Sequence, residues 1–160
     1  MPKLARDADV IPSIQELLAT PEIRSAFAYL DQNNGFSDHE LITICEIAAP
    51  PFKEELRGRF VEERLRELDL GDVVTDSAGN VLASRAGSTG DPVVLISAHL
   101  DTVFPEETDV LVRRDGNRLY APGISDNACG VASLLGLARA MAAAGMVLSH
   151  PTMQTIASNK

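Results

Sequence analysis

The sequence predicts an α/β fold in which flanking helices surround a mixed, largely covered β-sheet. Three observations favour this class. The first third of the chain has helical periodicity, the middle alternates short strand-like runs with turn residues, and a helical period returns from Asn127. The 160 residues, of which 45% are hydrophobic, are enough for one domain with a packed core.

Helix-start signals recur through the first third. Ser13 and Glu16 have the spacing of a capping box, in which a hydroxyl and a carboxylate satisfy free amides of the first turn. Thr20-Pro21 marks a second start, because proline at the first helical position lacks only a donor that would be unpaired. Ser37 with Glu40 predicts a third helix by the same capping-box pattern.

A longer helix is predicted over about 53–68. Glu55 with Arg59 and Glu62 with Arg66 are favourable i,i+4 pairs for its exposed face. The apolar residues expected on its buried side are Leu56, Phe60, Leu65 and Leu68.

Strand-like runs follow this helix. Residues 72–76 and 81–85 predict a hairpin, and so do 110–113 and 118–120, because turn-forming residues separate the two runs of each pair. Residues 92–97 form an unbroken apolar run, which predicts a strand covered on both faces. The last helix carries apolar residues at helical spacing: Val131, Leu134, Leu135, Ala138, Met141 and Ala142.

Composition excludes several classes of partner. The net charge is -9, from 23 acidic and 14 basic residues, so no positive field attracts nucleic acid or an anionic membrane. Aromatic content is 4% without tryptophan, which disfavours base stacking. Two cysteines do not form a disulfide framework, and the apolar stretch 130–148 is interrupted by Arg139. A cytoplasmic location with reduced thiols is therefore expected.

A His-x-Asp pair ends the apolar run. Because side chains two residues apart in an extended chain point the same way, His99 and Asp101 should project together from the strand end. In open α/β sheets ligands gather at that end. A neutral imidazole is a good zinc ligand, and a nearby carboxylate can fix its tautomer. The simpler interpretation is that both residues merely end a strand at the surface.

A second acidic residue lies in a loop rich in proline and glycine. Asp126 stands between Gly123 and Gly130, just before the last helix. It could cap that helix, but capping does not exclude metal binding because a carboxylate has several lone pairs. The two glycines permit a tight loop and a close approach of the backbone to a bound group.

These segments together resemble the zinc metallopeptidase family of aminoacylase, carboxypeptidase G, peptidase T and acetylornithine deacetylase. The likeness rests on residues 97–105 (SAHLDTVFP) and 121–127 (APGISDN), and it continues upstream in 44–55 (ICEIAAPPFKEE) and 76–81 (DSAGNV). It covers roughly residues 38–150. The resemblance implies a zinc-exopeptidase-like catalytic domain.

The resemblance also implies roles for individual residues. His99 matches a histidine that binds one zinc, Asp101 matches the catalytic aspartate that orients this histidine, and Asp126 matches the carboxylate that bridges two zincs. The bond between Asp126 and Asn127 is then a candidate cis peptide. The complete enzymes use two zinc ions, with cobalt or manganese as alternatives, and no other cofactor. They hydrolyse amide bonds in small peptides or N-acyl amino acids, and a homodimer is expected for the full-length form.

The sequence departs from the family after the last helix. The family continues into a strand that ends in a Glu-Glu pair, which supplies the general base and a zinc ligand. Residues 148–160 (LSHPTMQTIASNK) do not reach such a pair, and Glu54-Glu55 lies upstream on a helix. We therefore expect residues 1–160 to be a partial N-terminal catalytic domain, without the lid or dimerisation domain. With two ligands instead of three per metal, it should bind zinc weakly and be inactive alone.

Two alternatives stay open. The segment 126–130 also fits a related clan of zinc aminopeptidases with an Asp-Asn-x-x-Gly motif. From a different class, the chain could be a non-catalytic fragment that associates through an exposed sheet edge. Among the remaining candidates, Cys129 is interpreted as a small residue on a helix face, Cys45 as core, and His150 as a loop residue.

Overall fold

The helices and strands follow the predicted order. The computed structural model describes residues 13–68, 70–89 and 92–157, without the side chains of Phe36 and of 153–157. The helices are α1 (Ile14–Ala19), α2 (Pro21–Gln32), α3 (Asn34–Glu46), α4 (Glu55–Arg66) and α5 (Cys129–Ala143), and a π-helical turn, Ile124–Ala128, precedes α5. The strands are β1 (Gly71–Thr75), β2 (Val81–Arg85), β3 (Val94–His99), β4 (Arg113–Asp115), β5 (Arg118–Tyr120) and β6 (Thr152–Ala157). The α/β class is confirmed.

The main sheet is mixed, as predicted. Its strand order is β1-β2-β6-β3, with β6 antiparallel to β2 and parallel to β3. The register pairs Val94 with Thr152 and His99 with Ala157, so His99 lies at the carboxyl edge of the parallel pair. The sequence did not predict β6, although β6 occupies an interior position of the sheet. β4 and β5 form a separate two-stranded sheet, which confirms the second hairpin.

Strand β3 is more exposed than its apolar sequence predicts. Ile96 and Ala98 pack against the core, whereas Val94 is 46% and Leu95 is 61% exposed. The expectation that this strand is covered on both faces is therefore wrong for the described chain. The reason is its position: β3 forms an edge of the sheet, and the face that carries Leu95 is open to solvent. The alternative of association through an exposed edge stays a prediction.

The core lies between the sheet and the helices α3, α4 and α5. Its buried members come from all of these elements, so the sheet is stabilised by helices that are distant in sequence. Cys45 is buried, as predicted, and so are most of the predicted α5 positions. Within the described ranges, every helix falls short of the length and apolar character needed to cross a membrane. The core cluster comprises Ile44, Cys45, Val61, Leu65, Val73, Val81, Ala83, Leu100, Ala128, Val131, Leu134 and Leu135.

Two of the three helix starts predicted in the first third of the chain are correct. The capping box at α1 is present, because the Glu16 amide donates to Ser13 Oγ over 3.2 Å and the Ser13 amide donates to Glu16 Oε2 over 2.7 Å. Pro21 begins α2 as predicted. The predicted start at Ser37 is wrong, since α3 begins at Asn34 and the Ser37 hydroxyl donates to the carbonyl of Asn33, the N-cap residue.

Helix α4 also departs from its predicted faces. The Glu62–Arg66 ion pair is present at 2.5 Å, whereas Arg59 donates to the backbone carbonyl of Glu55 and not to its carboxylate. Leu56 is 63% exposed, so its predicted burial is wrong. The buried stripe consists instead of Arg57, Gly58, Val61 and Leu65.

A buried ion pair joins α3 to α5. Arg139 donates from both terminal nitrogens to the two carboxylate oxygens of Glu40, and the side chains are only 10% and 4% exposed. Two parallel bonds between planar groups fix the relative position of the helices as well as their charge. The charge of Arg139, which interrupts the apolar stretch of α5, is therefore neutralised by Glu40 on α3.

We expect Glu40→Gln to destabilise the chain by about 3 kcal/mol, because it removes the charged carboxylate that accepts both hydrogen bonds from the buried Arg139 guanidinium. The measurement is urea unfolding followed by circular dichroism. Asp38→Asn is the matched control, because its pair with Arg114 is 50% and 47% exposed. Exposed pairs contribute about 0–1 kcal/mol. Equal losses for the two variants would contradict the interpretation.

Candidate metal site

The end of β3 leads directly into the interior. His99 is the last residue of the strand, and its side chain is 46% exposed. Leu100, Asp101 and Thr102 follow it and are all buried. The chain thus turns inwards immediately after His99, so that the imidazole stands at the surface above a buried carboxylate.

The structure brings the three predicted site residues together. His99 Nδ1 lies 3.1 Å from Asp101 Oδ1, and His99 Nε2 lies 2.9 Å from Asp126 Oδ1. The Asp101 side chain is 12% exposed, whereas that of Asp126 is 84% exposed. The imidazole therefore stands between an inner carboxylate and an outer carboxylate.

This arrangement has a direct consequence for hydrogen bonding. A neutral imidazole carries one N–H, and two oxygens of Asp101, Oδ1 and the backbone carbonyl, favour its placement on Nδ1 because each lies 3.1 Å from that nitrogen. The lone pair of Nε2 then faces an oxygen of Asp126, so two acceptors confront each other unless a proton or a cation lies between them. Zinc–nitrogen and zinc–oxygen bonds of about 2.0–2.2 Å at a tetrahedral angle separate the ligand atoms by roughly 3.3 Å. The observed 2.9 Å is shorter than this separation and equals the length of an ordinary N–H···O hydrogen bond, so the two atoms would move apart to share a metal ion.

The donor set fits zinc in type but not in number. Imidazole nitrogen and carboxylate oxygen are both ordinary zinc ligands, and catalytic sites take three protein ligands per metal. In the described part of the chain, no group of three or more His, Cys, Asp or Glu residues is arranged to hold a metal ion. His99 and Asp126 thus form an incomplete ligand set, with Asp101 on the far side of the ring.

Two glycines allow the Asp126 loop to approach the end of β3. Gly123 has a φ of 75°, and a Cβ there would lie 2.9 Å from Thr102 Cγ2. A Cβ on Gly130 would lie 2.0 Å from Asn127 Oδ1. The Asn127 amide donates to the carbonyl of His99 over 3.4 Å. The space left by these glycines is occupied by the side chains of Thr102 and Asn127, and the predicted close approach of the backbone to a bound group stays a prediction.

The backbone around Asp126 settles its role in the helix. The peptide bond between Asp126 and Asn127 is cis, as predicted. Helix α5 begins after Ala128, and no side chain caps it. Asp126 therefore does not act as the helix cap, and its carboxylate faces His99.

A small depression surrounds the three residues. Its volume is about 200 Å³, which is below the roughly 300–1,000 Å³ of ordinary ligand pockets. The depression is therefore smaller than an ordinary ligand pocket. The lining residues are His99, Asp101, Thr102, Val103, Phe104, Gly123, Ser125 and Asp126.

Sequence reasoning missed one residue next to this site. Arg57 is 1% exposed, and its Nη1 donates to the carbonyl of Leu100 over 2.7 Å. Burial lowers the pKa of the guanidinium, while the nearby Cys45 and Asp101 act in the opposite direction. A signal was present in the sequence, because Arg57 stands four and eight residues before Val61 and Leu65 on the buried stripe of α4.

Comparison with known proteins supports the metallopeptidase resemblance. The model of "Peptidase family M28" matches residues 80–157, a range that contains His99, Asp101 and Asp126. A putative LysW-lysine/LysW-ornithine hydrolase of Pyrococcus abyssi is 32% identical over 92 residues, which are 58% of this chain and 26% of that protein. The chain thus spans about a quarter of the length of the curated relatives it matches.

Two solved structures share the fold. Human carnosine dipeptidase 1 has a TM-score of 0.72 at 17% identity, over 84% of this chain and 34% of that one. The dipeptidase Dug1p of Saccharomyces cerevisiae has a TM-score of 0.70 at 14% identity, over 86% and 35%. These two structures show a shared fold, and together with the family match and the Pyrococcus abyssi relative they confirm the predicted resemblance to this class of peptidases.

Proposed function

We propose that residues 1–160 are the N-terminal part of the catalytic domain of a zinc-dependent peptidase or amidohydrolase. Its reaction is the hydrolysis of amide bonds in small peptides or N-acyl amino acids. The observation that carries this proposal is the 2.9 Å approach of His99 Nε2 to Asp126 Oδ1, with Asp101 bound to the opposite ring nitrogen. The printed names of the relatives, a hydrolase and two dipeptidases, support the same reaction class.

Each of the three residues has a distinct role in this proposal. His99 and Asp126 hold the metal, and Asp101 fixes the imidazole so that Nε2 presents its lone pair. The buried carboxylate is suited to this task, because a hydrogen bond to the second ring nitrogen sets both tautomer and ring orientation. Zinc, when bound, polarises the substrate carbonyl and lowers the pKa of a bound water.

The 160-residue chain alone is proposed to be a poor catalyst. Its described residues supply two metal ligands, one of them highly exposed, and water around them weakens the attraction for a cation. Glu54 and Glu55 do not provide the missing general base, since they line a separate depression beside α4. The choice among zinc, cobalt and manganese, a cytoplasmic location and a homodimer of the longer protein remain predictions.

The first test is zinc binding by the 160-residue chain. We expect weak binding that His99→Ala reduces by more than about 100-fold, because the substitution removes half of the ligand set. Competition with a chromophoric chelator measures the dissociation constant. His150→Ala is the matched control, since this loop histidine contacts Thr89 and lies outside the depression. Equal affinity of the His99 variant and the parent would overturn the metal site.

The second test concerns the buried carboxylate. Asp101→Asn keeps the shape of the side chain but removes the charge that orients the imidazole, so we expect zinc to bind about 10–100-fold more weakly. The same competition assay measures this change. Asp115→Asn, at the exposed β4–β5 hairpin, should leave the affinity unchanged. An Asp101 variant with the affinity of the parent would show that Asp101 does not support the metal ligand.

The third test is hydrolysis. The purified 160-residue chain, supplied with zinc, should not release amino acids from dipeptides or N-acyl amino acids faster than His99→Ala does. The comparison with this variant separates the activity of the chain from that of a contaminating peptidase. Robust hydrolysis that disappears in His99→Ala would refute the proposed inactivity, while it would support the proposed reaction class.

A further inference from the structure

We propose that Arg57 is a positioning residue for the His99–Asp101 pair, an inference that rests on the proposed metal site. Its guanidinium holds the peptide that separates the two residues. Nη1 of Arg57 donates over 2.7 Å to the carbonyl of Leu100, whose own side chain is fully buried. Rotation of this peptide would move His99 and Asp101 relative to each other.

The other hydrogen bonds of Arg57 end on a different segment. Nε and Nη2 donate to the carbonyl of Ile47 over 3.0 and 2.6 Å, and Nη2 also lies 3.5 Å from the carbonyl of Cys45. Ile47 is the C-cap of α3, where carbonyls lack helical partners and carry partial negative charge. One cation thus connects α4, the end of α3 and the exit from β3.

Neighbouring contacts hold the same three segments together. Gly58, the next residue on α4, lies beside Leu100, since a Cβ there would make an ordinary contact of 3.5 Å with Leu100 Cδ1. The Thr102 amide donates to the carbonyl of Ala49 over 2.7 Å. The exit from β3 is therefore fixed on both sides of Asp101, by Arg57 before it and by Ala49 after it.

The chemistry of arginine explains why this position is charged. Within the described ranges, all the hydrogen bonds of Arg57 end on backbone carbonyls. A buried charge is costly, and well-packed hydrophobic residues often replace buried ionic groups without loss of stability. A planar fork with five donors can bind carbonyls of two segments at once, whereas lysine has a single ammonium group. Arg57 positions the peptide that follows Leu100, next to His99. This function accounts for a buried charge at this position, which core packing alone does not require.

The experiment compares Arg57→Met and Arg57→Lys with Val61→Ala in the 160-residue chain. Val61 is fully buried on the same helix and belongs to the core cluster, so its variant controls for loss of stability alone. Zinc affinity is measured by chelator competition under conditions in which each variant is folded. Long-range nitrogen–proton NMR of the zinc-free proteins reports the tautomer and hydrogen bonding of the His99 ring.

We expect Arg57→Met to weaken zinc binding by about 10–100-fold, as loss of an outer support of a metal ligand does. It should also shift the His99 ring nitrogens, and Arg57→Lys should restore part of both properties. Val61→Ala should keep the parent affinity and spectrum. A folded Arg57→Met with parental affinity and ring signals overturns the proposal, as does an equal loss in Val61→Ala.

Two further outcomes are decisive. If Arg57→Met does not fold, Arg57→Lys decides: altered His99 ring signals support the positioning role, and parental signals overturn it. If the parent chain binds zinc no better than His99→Ala, the proposed metal site fails. The ring signals of the zinc-free variants then still decide whether Arg57 positions His99.

Discussion

The buried guanidinium of Arg57 is the interaction on which the arrangement of the chain around the candidate site depends. Three segments meet there: the buried side of α4, the end of α3 and the exit from β3. Each of the last two presents backbone carbonyls to the interior, where an unpaired polar group is costly. A hydrophobic residue could fill the volume of Arg57 but could not satisfy these carbonyls. The relative position of His99 and Asp101 thus depends on the hydrogen bonds that Arg57 donates to neighbouring backbone carbonyls.

On the other side of His99, the loop that carries Asp126 lies close to the end of β3. The Asp126 loop reaches the end of β3 because Gly123 and Gly130 leave space for the side chains of Thr102 and Asn127. A methyl group at either position would clash with Thr102 or Asn127. The position of the Asp126 carboxylate therefore depends on glycine at both positions. Asp126 can then stay highly exposed and still lie within hydrogen-bonding distance of His99.

Local patterns predicted much of this structure from sequence, and non-local contacts account for what they missed. The hairpins, the capping box at Ser13 and the grouping of His99 with Asp126 were predicted from motifs whose parts lie close in sequence or match a known family. The Ser37 cap failed because α3 had already started at Asn34. Strand β6 was missed because its partners β2 and β3 lie more than 40 residues away. The burial of Arg57 was missed because its carbonyl partners, at Ile47 and Leu100, are not visible in the pattern of α4 itself.

The exposed face of β3 and the proposed metal site belong to one surface. Because side chains alternate along a strand, Leu95 and His99 share a face, and that face is open to solvent. Water there contacts most of the surface of Leu95, which is 61% exposed, and it screens the attraction between a cation and its two proposed ligands. A segment that covered this face would therefore gain apolar burial and strengthen metal binding at once. Asp101 and Arg57, on the inner side of the proposed site, are already buried away from water. The described residues therefore provide the contacts that position His99 more completely than they provide ligands for a metal ion.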